Sequence, residues 1–368
     1  MKKAFLISCF NWYKTRLEPV RDLLISQGYE VSVLTSDFSH IKKKPIDERY
    51  SECIYIHVPM YQKNLSIARI KSHLYFGKQI AKFIDKEKPD LIYLLLPPNN
   101  TARYCARYKR KNPNTKFIID IIDLWPESMP LGTLQNTPFV WFWKNWRDNA
   151  IKVADYVITE CDLYQEKLEN VLNESKTTTL HLFKEQTEEE LQLVQNIINR
   201  ENRDDVIRFA YLGSMNNIID IEGICEVLNE FVSLGRKCEI HAIGDGESRG
   251  RFEKFVRETG CETYFYGKIF DEIEKIKILS PCDYAFNMMK GNVSVGLTIK
   301  SIDYLSYGLP LINNIKGDTW KLVDEKKIGM NVGDKKIVFD SIDHGLVKNI
   351  FDDMFTKEKF VSSVSAVL

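Results

Sequence analysis

Apolar runs of strand length alternate with helix-period segments along most of this chain. "KKAFLIS" (2–8) opens the series, a helical stripe follows over about 17–27, and then "YEVSVLTSD" (29–37). "CIYIHVP" (53–59) precedes a long helical pattern from about 66 to 86. "DLIYLLLPP" (90–98), "KFIIDIID" (116–123) and "ADYVITEC" (154–161) continue the alternation. The stretch 183–205, "FKEQTEEELQLVQNIINRENRDD", breaks it, being charged and poor in strand formers. After it the pattern restarts with "VIRFAYLGS" (206–214), a helix over 221–234, "CEIHAIGDG" (238–246), "TYFYGKI" (263–269), "CDYAFNMM" (282–289) and "LPLINN" (309–314).

Continuous apolar strands flanked by helices are the signature of parallel sheets covered on both faces. Two such series make the chain α/β, with two doubly wound, Rossmann-like domains. The boundaries read as a first domain over 1–182, a connector over 183–205 and a second domain over 206–340. A helical tail over 341–368 is expected to pack back on the first domain. A length of 368 residues suits two cores better than one.

Net charge is zero but unevenly placed. Residues 1–150 carry 24 Lys/Arg against 14 Asp/Glu, and the remainder 27 against 37. A basic half suits anionic lipid or a phosphorylated acceptor. The eight cysteines are scattered without a Cys-x-x-Cys pair, which points to a reducing compartment and away from structural zinc. "MKKAFLISCFNW" reads as a first strand because its apolar run is short and lacks a small-residue cleavage site. No 18-residue apolar span occurs. The expected location is cytoplasmic, at the inner face of the cell membrane.

The turn after the first strand, "SCFNWYKTR", contains no glycine, so a dinucleotide fingerprint and a dehydrogenase are excluded there. In doubly wound sheets ligands sit outside the carboxyl ends of the strands. Four segments of the second half fall there: Gly213–Ser214, Gly244–Gly246, Gly267–Ile269 and the turn and helix from Gly296 to Asp303. Within "VGLTIKSIDYLSYGLPLI" (295–312), helical spacing places Lys300, Asp303, Tyr304 and Tyr307 on one face. Ile299, Ile302 and Leu305 then point toward a core. A lysine in the first turn of a helix opposes the backbone dipole. An anion bound there would resolve the conflict. An ordinary surface pair between Lys300 and Asp303 is the plainer alternative.

The order "YLGS … IGDG … YGK … GLTIKSIDYLSYGLPLI" resembles the nucleotide-sugar domain of GT-B glycosyltransferases of the retaining family 4 type. "DIIDLWPES" (120–128) is similar to a stretch of its polysaccharide-assembly members. The resemblance implies a donor in the interdomain cleft, gripped by the second domain, and an acceptor on the first. Carried over, Lys300 holds the donor diphosphate and Asp303 the ribose hydroxyls. Lys268 and Ile269 meet the base, while Ser214, Gly244, Asp245, Gly296, Leu297 and Thr298 approach the diphosphate and sugar. Asp123 and Glu127 join Lys300 as catalytic candidates, a helix N-cap being the plainer role for Asp123. Trp125, Asn99 and Asn100 fall on the acceptor side. The resemblance implies a reaction that moves a sugar from a UDP-linked donor to a saccharide acceptor in bacterial surface polysaccharide synthesis. That acceptor is lipid-linked, with a polyprenyl diphosphate as the suggested carrier. No cofactor beyond the nucleotide sugar and no metal is expected.

Two departures bear on activity. The family pairs its second acidic residue with a glutamate eight positions earlier, and here that position is Val295. The stretch "GSMNNIIDIEG" (213–223) carries no base where many members neutralise the leaving diphosphate. A catalytically silent GT-B subunit that binds a partner or glycan is therefore the alternative, whereas a nucleotide-sugar epimerase lacks a carboxylate–histidine set. "TPFVWFWKNWRDNAIKVADYVIT" (137–159) concentrates Phe139, Trp141, Phe142, Trp143 and Trp146 beside Lys144 and Arg147. Such a helix suits packing on the sheet, and its alternative is rest at a membrane interface. Lys42–Lys44 and "RYKRK" (107–111) read as solvated faces, and no nucleic-acid module is present.

Overall fold

The structure is a computed structural model of the chain. It describes residues 1–10, 12–64, 66–129, 131–132, 137–173, 176–199, 205–291, 295–333 and 342–368, with the Phe139 side chain left out. The chain divides into two compact units, residues 1–182 with 360–368, and residues 183–359.

In the first unit the strands are β1 (Lys2–Ser8), β2 (Tyr29–Ser36), β3 (Phe38–Ser39), β4 (Lys44–Pro45), β5 (Cys53–Ile56), β6 (Leu91–Leu96), β7 (Lys116–Ile121), β8 (Tyr156–Thr159) and β9 (Thr177–Thr179). The helices are α1 (Glu18–Ser26), α2 (Ile67–Glu87), α3 (Asn99–Lys111), α4 (Pro138–Ile151) and α5 (Asp162–Lys167). Seven strands form one parallel sheet in the order β5-β2-β1-β6-β7-β8-β9. β3 and β4 form a separate antiparallel pair. Every residue of β6 is buried, as its unbroken apolar run requires of a central strand. The order reverses between β1 and β6, which opens a crevice at their carboxyl ends.

A π-helical turn, Tyr13–Leu17, leads into α1, whose Pro19 sits in the first turn where its missing N–H costs nothing. The turn aims Arg16 inward. Arg16 makes a bidentate pair with Asp120 at 2.8 and 2.7 Å, both side chains fully buried, and donates to the carbonyls of Leu180 and His181.

The second unit holds α6 (Glu188–Ile198), β10 (Val206–Leu212), α7 (Ile221–Ser233), β11 (Lys237–Ile243), α8 (Arg249–Glu258), β12 (Glu262–Gly267), α9 (Glu272–Leu279), β13 (Tyr284–Asn287), α10 (Ile299–Ser306), β14 (Leu311–Asn313), α11 (Asp318–Lys326), β15 (Gly329–Asn331) and α12 (His344–Met354). The last helix of the chain is α13 (Lys357–Ser365). The sheet order is β12-β11-β10-β13-β14-β15, again parallel and doubly wound, with its reversal between β10 and β13. Its core stacks Phe209 on Phe286 at 5.2 Å and sets Phe231 edge-on at 4.9 Å.

Within the stretch read as a connector, α6 begins at a capping box between Thr187 and Glu190. Residues 200–204 of that stretch lie outside the described residues, as does 334–341 around the expected start of the tail.

Candidate functional site

The second unit assembles its site at the switch point from backbone. Gly213, after β10, donates its N–H to Ile243 at 2.9 Å, and Gly244, after β11, donates to Gly267 at 2.7 Å. Met215 N donates to the Asp245 carbonyl at 3.0 Å, so three strand-end loops are stitched side by side. Gly244 must be glycine, because its φ is +148° and a Cβ there would lie 1.9 Å from the Gly213 carbonyl oxygen. The fourth segment caps α10. Thr298 Oγ1 accepts from Ser301 N at 3.1 Å and donates to Asn287 Oδ1 at 3.0 Å. Gly296 O accepts from the Thr319 backbone and hydroxyl. All four glycine-bearing segments named from the sequence thus reach the same edge of the sheet.

A small cavity of about 110 Å³ opens between the first of them and α10, lined by Gly213, Ser214, Asn216, Met289 and Lys300 among others. Lys300 is half-buried in the first turn of α10, its ammonium 5.5 Å from the centroid of the Tyr211 ring. No carboxylate pairs with it among the described residues, and burial pulls its pKa down to about 8. Leu297 and Thr298 are buried, Ser214 and Lys268 are exposed, and Ile269 and Val295 are half-buried.

The face assigned to α10 needs correction. Ile299 is 58 % exposed, whereas Tyr304 and Tyr307 are fully buried. Helical spacing fixes azimuth but not depth. Lys300 projects beyond the strand ends, while Tyr304, one turn deeper, lies over β10 and its hydroxyl accepts from Leu212 N at 2.6 Å.

Asp303 has a partner that the sequence did not disclose. Lys184 Nζ lies 2.8 Å from Asp303 Oδ1, contacts Glu272 and reaches the Tyr307 hydroxyl at 3.2 Å. Burial alone would raise the Glu272 carboxyl, but Lys184, Lys275 and Tyr307 override it and hold it at about 2. Its stabilising effect is therefore full above the ordinary glutamate value and lost as pH falls toward 2. Lys184→Met leaves Glu272 and Asp303 without their shared cation. Chemical denaturation should show a loss of roughly 2–3 kcal/mol at pH 7 that narrows sharply by pH 3. A loss equal at both pH values would assign the effect to packing alone.

The first unit gathers the other candidates at the carboxyl ends of β1, β6 and β7. Asp123 is half-buried. Trp125 Nε1 donates to its Oδ2 at 2.5 Å and the Ser128 hydroxyl to its Oδ1, so it braces the turn and caps no helix. Burial raises its pKa. Glu127 takes a bidentate pair from Arg147 at 2.6 and 2.9 Å, with Lys144 at 3.2 Å. Burial opposes that charge, but Arg147 wins and keeps the carboxyl below its usual range. Asn99 donates to the carbonyls of Trp125 and Trp143, and Asn100 to that of His73. Both asparagines are buried. The Trp125 ring is the hub, stacked on His73 at 6.0 Å, edge-on to Trp143 at 5.7 Å, and covered by the Arg69 guanidinium at 4.4 Å. Arg69 and His73 were missed. Their only signal is that, with Ser72, they are polar residues on the buried side of α2 which Phe76, Ile80 and Ile84 continue.

Among solved structures, the chain is similar to sucrose-phosphate synthase from Thermosynechococcus elongatus, with a TM-score of 0.68 and 14 % identity over 100 % of this chain and 98 % of that one. Anabaena HepE in complex with UDP-glucose superposes with a TM-score of 0.60 and 12 % identity over the full length of both. The lipopolysaccharide outer core galactosyltransferase WaaB in its apo form gives 0.57 and 16 %, again over both full lengths. Identities this low establish the fold, which is the GT-B architecture of two Rossmann-like domains. No family model matches the chain. No curated protein matches it significantly.

Proposed function

We propose that this protein is a glycosyltransferase that moves a sugar from a UDP-linked donor to a lipid-linked saccharide acceptor in surface polysaccharide synthesis. The observation that carries the reading is Lys300, a half-buried ammonium without a carboxylate partner among the described residues, at the switch-point crevice of a doubly wound sheet. A diphosphate placed there meets this cation together with the N-terminus of α10. HepE, of the same fold, has been crystallised with UDP-glucose.

Breaking the bond from the sugar C1 to the diphosphate oxygen leaves negative charge on that oxygen, and a preorganised cation lowers the barrier. Lys300 supplies it, so turnover is expected to proceed in the presence of EDTA. Retention follows if the acceptor hydroxyl attacks from the face the diphosphate leaves, giving its proton to the departing oxygen. Asp303 keeps Oδ2 for ribose hydroxyls while Oδ1 faces Lys184. Asp123 and Glu127 act here by holding the turn around Trp125 on the acceptor side.

One observation favours the alternative of a silent subunit. Asp303 is already neutralised by Lys184, and Val295 stands where a second carboxylate would complete the pair. Incubation with a panel of nucleotide sugars and prenyl-diphosphate-linked saccharides separates the two. A new glycosidic bond with stoichiometric nucleoside diphosphate supports the enzyme, and binding without turnover across the panel supports the subunit. No helix among the described residues is long and apolar enough to cross a membrane. The lipid-linked acceptor would be met at the inner membrane face.

A further inference from the structure

Three arginines of the first unit are buried: Arg16, Arg147 and Arg69. The first two each hold a carboxylate through two nitrogens, Arg16 with Asp120 and Arg147 with Glu127. Arg69 holds none. Its NH1 donates to the Asn64 carbonyl at 3.0 Å, and its Nε has no hydrogen-bond partner. The nearest acid, Asp123, already receives Trp125 and Ser128. His73, one turn further along α2, is 4 % exposed and its Nε2 is likewise without a partner. Burying a cation without a counter-carboxylate and a ring nitrogen without a hydrogen-bond partner is costly. Evolution of a purely structural core would be expected to place apolar side chains at both positions.

Both residues line the same cavity, of about 470 Å³. Asn64, Ser66 and Thr137 also reach it, and the remaining described wall is apolar, including Ile67, Ile70, Leu131, Val140 and Trp143. Next to Val140 and Trp143 on α4, Trp141 and Phe142 are 60 % and 53 % exposed, their rings 4.9 Å apart. Ile67, at the start of α2, is 72 % exposed. Lys43 stands close enough to Arg69 to feel its charge, whereas burial and Arg69 hold His40 and His73 well below the ordinary imidazole value and so neutral, which leaves the positive charge at this end to Arg69 and Lys43. A largely apolar chamber with a guanidinium that holds no carboxylate at one end fits a ligand that is itself apolar with one anionic end.

We propose that this cavity binds a phosphate or diphosphate carrying a single hydrocarbon chain, with the anionic oxygens at the Arg69 guanidinium and the His73 ring and the chain along Ile70, Leu131 and Val140. The proposal deepens the lipid-linked acceptor of the proposed function and rests on that reading for its biological meaning. The binding itself depends on the first unit alone. An isoprenoid and an acyl chain offer the same chemistry, and direct titration distinguishes them.

The full chain is titrated below micelle concentrations with farnesyl phosphate, dodecyl phosphate, farnesol and inorganic phosphate, following tryptophan fluorescence and heat. Micromolar binding of a chain phosphate is expected, with farnesol and inorganic phosphate at least about tenfold weaker. Preference for farnesyl over dodecyl phosphate assigns an isoprenoid, and equal affinity assigns a site indifferent to chain type. Arg69→Gln is expected to weaken binding about ten- to a hundredfold. Val140→Trp, which keeps Arg69 and fills the chamber, tests the site even if Arg69→Gln fails to fold. Unchanged affinity in either folded variant, or equal binding of farnesol and farnesyl phosphate, overturns the proposal. UDP is titrated into the same preparation. Chain-phosphate binding without UDP binding would sink the donor reading and leave this site standing, and the reverse result would do the opposite.

Discussion

Arg16→Met is expected to cost the first unit about 3–5 kcal/mol, since removing one partner strands a fully buried Asp120 carboxylate. That is a large part of the roughly 5–15 kcal/mol that holds a domain folded. The pair is anchored on every side. Tyr93 donates to Asp120 Oδ2 at 2.6 Å, and Arg16 NH1 ties the carbonyls of Leu180 and His181 at 2.8 and 3.0 Å. The Phe360 ring covers the guanidinium at 5.0 Å. Asp120→Asn should cost nearly as much, because Arg16 then keeps its charge without its counterion. The double change Arg16→Met with Asp120→Leu should recover much of the loss, as buried ion pairs often exchange for apolar groups at little cost. Urea denaturation reads all three. A loss below about 1 kcal/mol for Arg16→Met would mean that water reaches Asp120 once the arginine is gone.

Lys300→Ala is expected to weaken nucleoside diphosphate binding about ten- to a hundredfold while leaving thermal stability unchanged or slightly raised. The sign on stability follows from burial. The folded protein lowers the Lys300 pKa from its ordinary value to about 8, so the charged form is disfavoured in the fold. The penalty is present below pH 8 and relieved as pH rises from there toward the unfolded value. Alanine removes the penalty along with the charge. A bound diphosphate does the reverse and holds the ammonium protonated. Affinity should therefore be full below about pH 8 and fall above it, by at most about tenfold per pH unit. The phosphate groups are already ionised there, so no opposing rise is expected. Calorimetry from pH 7 to 9.5 reads the slope. A flat profile with an unaltered Lys300→Ala affinity would place the diphosphate elsewhere.

The architecture was legible because each strand of a sheet covered on both faces must be apolar along its whole length. "DLIYLLLPP" could hardly be anything but a central strand, and all of Leu91–Leu96 is buried. The strand-end glycines were legible for a similar reason, since loops that hydrogen-bond side by side leave no room for a Cβ at Gly244. β9 and β15, three residues each, were not, because runs so short carry no periodicity. Partners distant in sequence were also hidden. Arg16 meets Asp120, and Lys184 meets Asp303, across separations that no local pattern encodes. The "DIIDLWPES" stretch shows the consequence. Read alone it offers three acids to a reaction, whereas in the fold Asp120 and Glu127 are each clamped by an arginine and Asp123 braces a turn. Arg69 and His73 escaped notice because they stand, with Ser72, on the buried side of α2, where a few polar residues usually signal nothing.

The most direct test is calorimetric titration of the protein with UDP, GDP, dTDP and ADP, without divalent metal, beside Lys300→Ala and Asp303→Ala. Micromolar binding of UDP, lost in Lys300→Ala and weakened in Asp303→Ala, is the expected result and places the donor at the switch point of the second unit. Binding that persists in both folded variants, or the absence of binding to all four nucleotides, would contradict a nucleotide-sugar site there.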